Sequence, residues 1–225
     1  MKSKDLLAAS LLFSVVLALY LLTLPAKPTA GDSCELAANA ILGRVLHPPG
    51  YALYGMTLRL AHKLPIGTAA WRCGFLSSIY GALAVALFFL LARLMNFGLV
   101  EASGASMLFA ASGQMWIQAT RIEVYALEAA LFLATLLFYL LWDKFPQRAL
   151  YNCTFFLLFT LSFFHRLNAA VVAPLLLTHF IWRVRTQKRE CNWSKVLPLA
   201  LAGVIMGSLP MLSFLFLDFG NTIVY

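Results

Sequence analysis

Charged residues are scarce in this chain, and their scarcity argues against an ordinary soluble domain. Only 12% of the 225 residues are Asp, Glu, Lys or Arg, whereas soluble globular domains carry about 25%. The four cysteines fall in four separate segments without the spacing of metal ligands, so they predict neither a zinc site nor a disulfide framework. No internal repeat, low-complexity segment or interdomain linker is evident, and the sequence predicts one transmembrane domain over residues 1–225.

Apolar residues make up 62% of the chain and give it a mean hydropathy of +0.83. They fall in runs of about 20 residues, the length of helix that crosses roughly 30 Å of hydrocarbon. The sequence therefore predicts an all-α integral membrane protein with about seven transmembrane helices. The predicted spans are residues 6–24, 74–92, 99–117, 124–142, 149–164, 167–182 and 196–217. The first run exceeds the 7–15 apolar residues typical of a signal peptide, which favours an uncleaved anchor over a signal peptide.

The apolar run over residues 149–182 predicts two short helices. As one helix it would be about 51 Å long, too long for a single span, and yet it is too short for two spans of full length. His165, Arg166 and Asn168 lie at its middle. The shortness of both helices would draw these polar residues below the membrane surface, where ionisable groups usually face a cavity or mark a functional path. The alternative is an ordinary solvated hairpin tip.

The basic residues predict the orientation of the chain in the membrane. With seven spans, the loops 1–5, 93–98, 143–148 and 183–195 share one side and hold 10 of the 17 Lys and Arg residues. The positive-inside rule places that side in the cytoplasm, together with the N-terminus. The positive-inside rule thus explains the net charge of +8, and no nucleic-acid partner is expected. The opposite face, outside the cytoplasm, receives a long first loop over residues 25–72 that is predicted to contain surface helices.

Two pairs of residues on this outer face fit both a structural and a chemical interpretation. Asp32 with Glu35 resembles a capping box for a surface helix, as Thr120 with Glu123 does for the fourth span. A carboxylate at the membrane boundary also suits a general base, because desolvation raises its pKa towards neutrality. Arg121, beside Glu123, suits an anionic phosphate.

The segment His47-Pro48-Pro49-Gly50-Tyr51 follows the first predicted surface helix. Pro49-Gly50 at the centre of a turn fits a type II geometry with positive φ at the glycine. The turn would return the chain with His47 and Tyr51 beside the acidic pair.

Taken in order, these motifs resemble a known family. Gly-Asp-Ser-x-Glu-Leu from Gly31, His-Pro-Pro-Gly-Tyr-x-Leu-Tyr from His47, Glu-Val-Tyr from Glu123 and a His/Asn turn between short helices are similar to motifs of the membrane O-mannosyltransferases that modify plexin-type receptors, and of their bacterial homologues. That family belongs to the GT-C glycosyltransferases. The resemblance covers nearly the whole chain, and the block from Gly31 to Tyr54 is its most specific part.

The resemblance implies a GT-C-like N-terminal module of an inverting enzyme. Such an enzyme transfers a sugar, mannose or similar, from a polyprenyl-phosphate donor to an acceptor hydroxyl on a protein or glycan outside the cytoplasm. Asp32 occupies the place of the catalytic base. The residues expected to act as supporting acids or to bind acceptor or sugar hydroxyls are Glu35, His47, Tyr51, Glu123 and Tyr125. Those expected to bind the lipid phosphate, where negative charge develops, are Arg121, His165, Arg166 and Asn168.

Two other functions remain open. Family members generally continue beyond the seventh span, so the chain is expected to be a fragment, a minimal form or a degenerate relative, which leaves a non-catalytic membrane subunit as an alternative. A transporter or flippase is less favoured, because the acidic motifs lie in the outer loop and not at mid-membrane. No metal site is predicted, although Asp32 and Glu35 could share an ion.

Overall fold

The computed structural model describes residues 3–29, 31–48, 51–166, 168–186 and 193–216, and within these ranges every regular element is helical. In chain order the helices are α1 (Ser3–Leu22), α2 (Ser33–Ile41), α3 (Ala52–His62), α4 (Ala69–Leu94), α5 (Leu99–Ala111), α6 (Gly113–Thr120), α7 (Tyr125–Lys144), α8 (Ala149–His165), α9 (Ala169–Thr186), α10 (Trp193–Ser208) and a 3-10 helix (Leu209–Phe216). The all-α prediction is confirmed.

Three of these helices, α1, α4 and α7, are long and apolar enough to cross a membrane. They contain 20, 26 and 20 residues, or about 30–39 Å of helix at 1.5 Å per residue. The other apolar helices are shorter: Leu99–Ala111, Ala149–His165, Ala170–Arg183 and Val196–Leu212. Three of the predicted spans are thus candidate membrane helices, and the total of seven stays a prediction.

The predicted third span over residues 99–117 is wrong as a continuous helix. The chain breaks at Ser112, whose backbone is extended and whose hydroxyl accepts a hydrogen bond from the Met115 N–H at 3.3 Å. Ser112 therefore ends α5 and caps the start of α6. A hydropathy count misses this break because the residues on both sides are apolar.

The predicted division of the run over residues 149–182 is confirmed. Helix α8 ends at His165, Arg166 is extended, and α9 starts at Ala169. The segment predicted as the first loop contains two helices, α2 and α3, and it ends four residues earlier than predicted. Its position on an outer surface stays a prediction. Thr68 caps α4 by accepting a hydrogen bond from the Trp71 N–H at 3.1 Å. The predicted type II turn at Pro49–Gly50 lies outside the described residues.

Helices α1, α4, α5 and α6 pack closely through small residues and two buried hydroxyl groups. The Tyr20 hydroxyl of α1 donates to the Ala110 carbonyl at 2.9 Å, and the Ser78 hydroxyl of α4 donates to the Ala119 carbonyl at 2.8 Å. Because both donors are fully buried, these bonds fix the α5–α6 pair against the candidate spans. They thereby position the 121–124 link between α6 and α7.

The first loop folds over this link. Leu36 of α2 and Tyr54 and Leu58 of α3 are fully buried in one cluster with Ile122 and Val124. The Ser33 hydroxyl at the start of α2 donates to the Ile122 carbonyl at 3.1 Å. The loop and the start of α7 therefore form one packed unit, which brings the motifs of both segments to the same end of the helices.

Candidate functional site

Asp32 precedes the first turn of α2 and presents its carboxylate to solvent. It occupies the N-cap position that the capping interpretation predicted, yet its side chain accepts no capping hydrogen bond and is 62% exposed. The carboxylate is therefore available to a ligand, and helix capping does not account for it.

Glu35, one turn along α2, is engaged by His47. Its Oε2 accepts a hydrogen bond from the Nδ1 of His47 at 2.7 Å, and its Oε1 accepts one from the His47 backbone N–H at 3.2 Å. The buried Asn39 amide also donates to this carboxylate. The Glu35 side chain is only 13% exposed. Glu35 therefore fixes His47 in place and has little surface left for a substrate.

The second ring nitrogen of His47 faces Asp32. The His47 Nε2 and Asp32 Oδ2 atoms are 3.8 Å apart. The Tyr51 ring packs edge-on against the His47 ring at 5.3 Å and lies 5.6 Å from the His165 ring. Tyr51 is buried at a left-handed backbone conformation with φ of 40°, which is uncommon for a bulky residue. The ring of His47 is thus held from two sides, with one nitrogen directed at the exposed carboxylate.

Glu123 adds a third carboxylate. A Cβ atom placed on Gly31, whose φ is 91°, would lie 3.8 Å from Glu123 Oε1, so Glu123 borders the residue preceding Asp32. Burial and the neighbouring Asp32 carboxylate raise the pKa of Glu123, while Arg121 and His47 partly offset this shift. Glu123 does not take part in helix capping.

The capping-box interpretation of Thr120 with Glu123 is wrong. The Thr120 hydroxyl donates to the Trp116 carbonyl within α6, and Val124 occupies the N-cap position of α7 without a side-chain cap. The tight link between α6 and α7 leaves Thr120 inside the preceding helix.

A second polar cluster surrounds Glu128 in the first turn of α7. Its Oε2 accepts a hydrogen bond from Arg166 at 2.7 Å, and its Oε1 accepts one from the Asn168 amide at 2.6 Å. The Arg166 guanidinium also lies over the Tyr125 ring, 4.5 Å from its centroid. Sequence reasoning missed Glu128, although an acidic residue inside an apolar run is the signal that could have identified it.

His165 is enclosed at the end of α8. Its side chain is 2% exposed, and its Nε2 donates to the Val124 carbonyl at 3.0 Å. Of the four predicted phosphate ligands, His165, Arg166 and Asn168 are thus already bound to protein groups in this structure. Arg121 is exposed and has no ion pair within 4 Å in the described part of the chain.

Arg121 borders a small cleft between the end of α1 and the start of α4. Lys27, which sequence reasoning did not single out, lines the same cleft. The remaining lining residues are Leu24, Pro25, Pro28, Thr29, Ala70, Gly74, Thr120 and Ile122. The cleft thus lies between two cationic residues at the end of a candidate span. A cation directly after the first apolar run is the pattern that could have pointed to Lys27.

Among the residues that the structure describes, no group of three or more His, Cys, Asp or Glu side chains is arranged to hold a metal ion. The arrangement instead offers an exposed carboxylate, an oriented imidazole and a separate cationic cleft. Such a set can activate a hydroxyl nucleophile and stabilise an anionic leaving group.

These features define a helical membrane protein with an acid–base cluster at the end of its candidate spans. The pattern of the family described as the protein O-mannosyl-transferase TMEM260 N-terminal domain matches residues 32–190. The chain belongs to this family, as its motifs predicted.

Two curated relatives share this similarity. Protein O-mannosyl-transferase TMEM260 of Mus musculus is 33% identical over 117 residues, which cover 52% of this chain and 17% of that protein. Protein O-mannosyl-transferase tmem260 of Dictyostelium discoideum is 30% identical over 149 residues, which cover 63% of this chain and 18% of that protein. The matched region therefore spans less than a fifth of either relative. No solved structure matches this chain significantly.

Proposed function

We propose that this chain is a GT-C-type, inverting glycosyltransferase that transfers a sugar from a polyprenyl-phosphate donor to an acceptor hydroxyl on the non-cytoplasmic side of a membrane. The observation that carries the proposal is the exposed Asp32 carboxylate beside His47, in a chain of the O-mannosyltransferase family. The names of the relatives support mannose as the sugar and a protein as the acceptor.

Asp32 is the general base in this proposal. It removes the proton from the acceptor hydroxyl while the oxygen attacks the anomeric carbon from the side opposite the phosphate. Its exposure supports this role, because an acceptor on a protein must reach the base from solvent. Glu123, which borders Gly31, accepts a hydrogen bond from an acceptor or sugar hydroxyl in this proposal.

Arg121 and Lys27 stabilise the leaving lipid phosphate. Both residues border one small cleft at the end of α1, where a lipid phosphate would meet the end of a candidate span. Cations placed where negative charge develops are an effective means of lowering a transfer barrier. Arg166, His165 and Asn168, which we expected to contact the phosphate, instead support the site by anchoring the α8–α9 turn to α7.

A transfer assay with defined polyprenyl-phosphate sugars and an acceptor polypeptide tests the proposal. Asp32→Asn is expected to lower the transfer rate by about 100- to 10,000-fold and to keep donor binding. The matched control is Glu101→Gln, which replaces an exposed carboxylate near the start of α5. This variant should transfer sugar at the wild-type rate.

Equal transfer by wild type and Asp32→Asn would reject Asp32 as the base. Donor binding without transfer by wild type would favour the non-catalytic membrane subunit. Accumulation of an intact lipid-linked sugar across vesicles would favour a flippase.

A further inference from the structure

We propose that His47 is the proton relay of the site: it receives, through Asp32, the proton of the acceptor hydroxyl, and Glu35 positions it for this task. The inference rests on the proposed function and gives Glu35 and His47 more specific roles than the supporting-acid or hydroxyl-binding roles expected from the sequence.

The first argument is the tautomer of His47. A carboxylate only accepts hydrogen bonds, so the 2.7 Å contact with Glu35 Oε2 places a proton on the His47 Nδ1 atom. In the neutral ring, Nε2 then carries the lone pair. A carboxylate that fixes the tautomer and orientation of an imidazole is the device by which the histidine of a hydrolytic triad is prepared to accept a proton.

The second argument is direction. The Nε2 atom lies 3.8 Å from Asp32 Oδ2, and the Asp32 side chain is 62% exposed. This distance exceeds the roughly 2.7–3.2 Å of an N···O hydrogen bond, so transfer requires the exposed Asp32 side chain to move towards Nε2. A proton taken up by Asp32 can therefore pass to Nε2 without leaving the site.

The third argument is rigidity. Glu35 binds both the ring and the backbone N–H of His47, and the buried Asn39 amide holds Glu35 in turn. The Tyr51 ring packs against the imidazole at 5.3 Å. These contacts fix the orientation of the His47 ring, so its Nε2 atom stays close to Asp32.

The proton and electrons balance in this scheme. The acceptor O–H bond breaks and its proton forms an O–H bond on Asp32, while the acceptor oxygen bonds to the anomeric carbon. The bond between that carbon and the phosphate oxygen breaks, and its electron pair leaves with the lipid phosphate. The proton then moves from Asp32 to His47 Nε2, which leaves an imidazolium between the Asp32 and Glu35 carboxylates. The ring is 34% exposed and can release the proton to solvent.

Chemical rescue tests the relay in the full chain. His47→Ala is expected to lower kcat about tenfold or more with little change in KM for the donor, and added imidazole should restore part of kcat. His62→Ala, a histidine at the end of α3, is the control and should gain nothing from imidazole. A loss in His47→Ala that imidazole does not restore, together with lowered thermal stability, would show a merely structural cross-link and overturn the relay.

A double-mutant cycle tests the positioning role of Glu35. Glu35→Gln should lower kcat in the wild-type background, because a glutamine amide can donate to Nδ1 and select the other tautomer. The same change should have no further effect in the His47→Ala background, since Glu35 acts through His47. Additive losses would overturn this role.

Nitrogen NMR of labelled histidine gives a readout that does not depend on activity. The chain has four histidines, and the His47→Ala spectrum identifies the signals of His47. We expect the neutral ring to carry its proton on Nδ1, and to change tautomer in Glu35→Gln. A wild-type ring protonated on Nε2 alone would overturn the inference even if sugar transfer is observed. Absence of transfer by wild type would instead reject the proposed function, and the relay with it, while leaving the tautomer assignment intact.

Discussion

Charged side chains at the two ends of the helices differ in how fully they are paired. At one end, Asp5 of α1 binds Arg93 of α4 at 2.9 Å, and Asp143 of α7 binds Arg183 of α9; we call this the paired end. At the other, which we call the motif end, Asp32 is 62% exposed, and its Oδ2 atom lies 3.8 Å from the His47 Nε2 atom. Chain order places the two groups at opposite ends, because α1 and α4 run in opposite directions.

This difference separates structural charges from charges that a ligand can use. Asp5, Arg93, Asp143 and Arg183 are each joined to an opposite charge on another helix, so these ions tie helices together and are not available to a ligand. Asp32 and Arg121 of the motif end are exposed and remain available to a ligand. The Glu128–Arg166 pair shows that the motif end also contains structural charges, and that an arginine near a site is not by that fact a ligand.

The largest expected effect comes from matched Asp→Asn substitutions at the two ends. Asp5→Asn should lower the free energy of unfolding by about 1–3 kcal/mol, because Arg93 loses its anionic partner. Asp32→Asn should change it by less than about 0.5 kcal/mol while reducing sugar transfer about 100- to 10,000-fold. Unfolding in detergent and the transfer assay measure the two quantities. Similar losses of unfolding free energy in Asp5→Asn and Asp32→Asn would contradict this difference between the two ends.

Substitution of Arg121 or Arg166 by alanine compares a free with a paired cation at the motif end. Arg121→Ala is expected to weaken donor binding by about 10- to 100-fold, the equivalent of one charge-assisted hydrogen bond, without loss of stability. Arg166→Ala should mainly lower stability, because Glu128 then keeps a charge without its partner. Titration with a polyprenyl phosphate measures binding, and Lys63→Ala, an exposed cation at the end of α3, is the control. If Arg166→Ala weakens donor binding more than Arg121→Ala does, the phosphate binds at the α8–α9 turn.

The sequence predicted the helical class and several helix positions because both depend on local properties. Run length and hydropathy located α1, α4 and α7, and the length argument located the break after His165. The break at Ser112 escaped this reasoning, since it depends on one hydroxyl that caps α6. Hydropathy averages over a window and cannot detect a single capping bond.

The candidate site was predictable in part for a similar reason. Motifs and their order indicated that Asp32, Glu35 and His47 belong together, and the structure brings them into contact. The partners of Arg166 were not predictable, because Glu128 lies 38 residues away in sequence and meets it only through the packing of α7 on α8. The roles of all these residues stay predictions.

Helix packing provides a further test of how the chain holds together away from the motif end. Gly203 and Gly207 of α10 form a small-xxx-small pattern that sequence reasoning did not use, and they lie directly on the α8 backbone. A Cβ atom at Gly203 would clash with the Cys153 carbonyl oxygen, so Gly203→Ala should cost about 1–3 kcal/mol of unfolding free energy.

Gly104 of α5 is the matched control, because a Cβ atom there would meet nothing within 4 Å. Gly104→Ala should leave stability unchanged or raise it by up to about 1 kcal/mol through helix propensity. If both alanines are neutral in a thermal unfolding assay, close packing of α8 on α10 does not stabilise the chain.

The smallest expected effect concerns Glu123, whose pKa burial and the Asp32 carboxylate raise. The native state then keeps this proton at pH values where the unfolded chain has lost it. Stability therefore falls as pH rises from the ordinary glutamate value of about 4.3 through the raised native pKa. Glu123→Gln should flatten that segment of the stability curve and make the chain slightly more stable than wild type at neutral pH. A Glu123→Gln stability curve parallel to the wild-type curve over this range would contradict the raised pKa of Glu123.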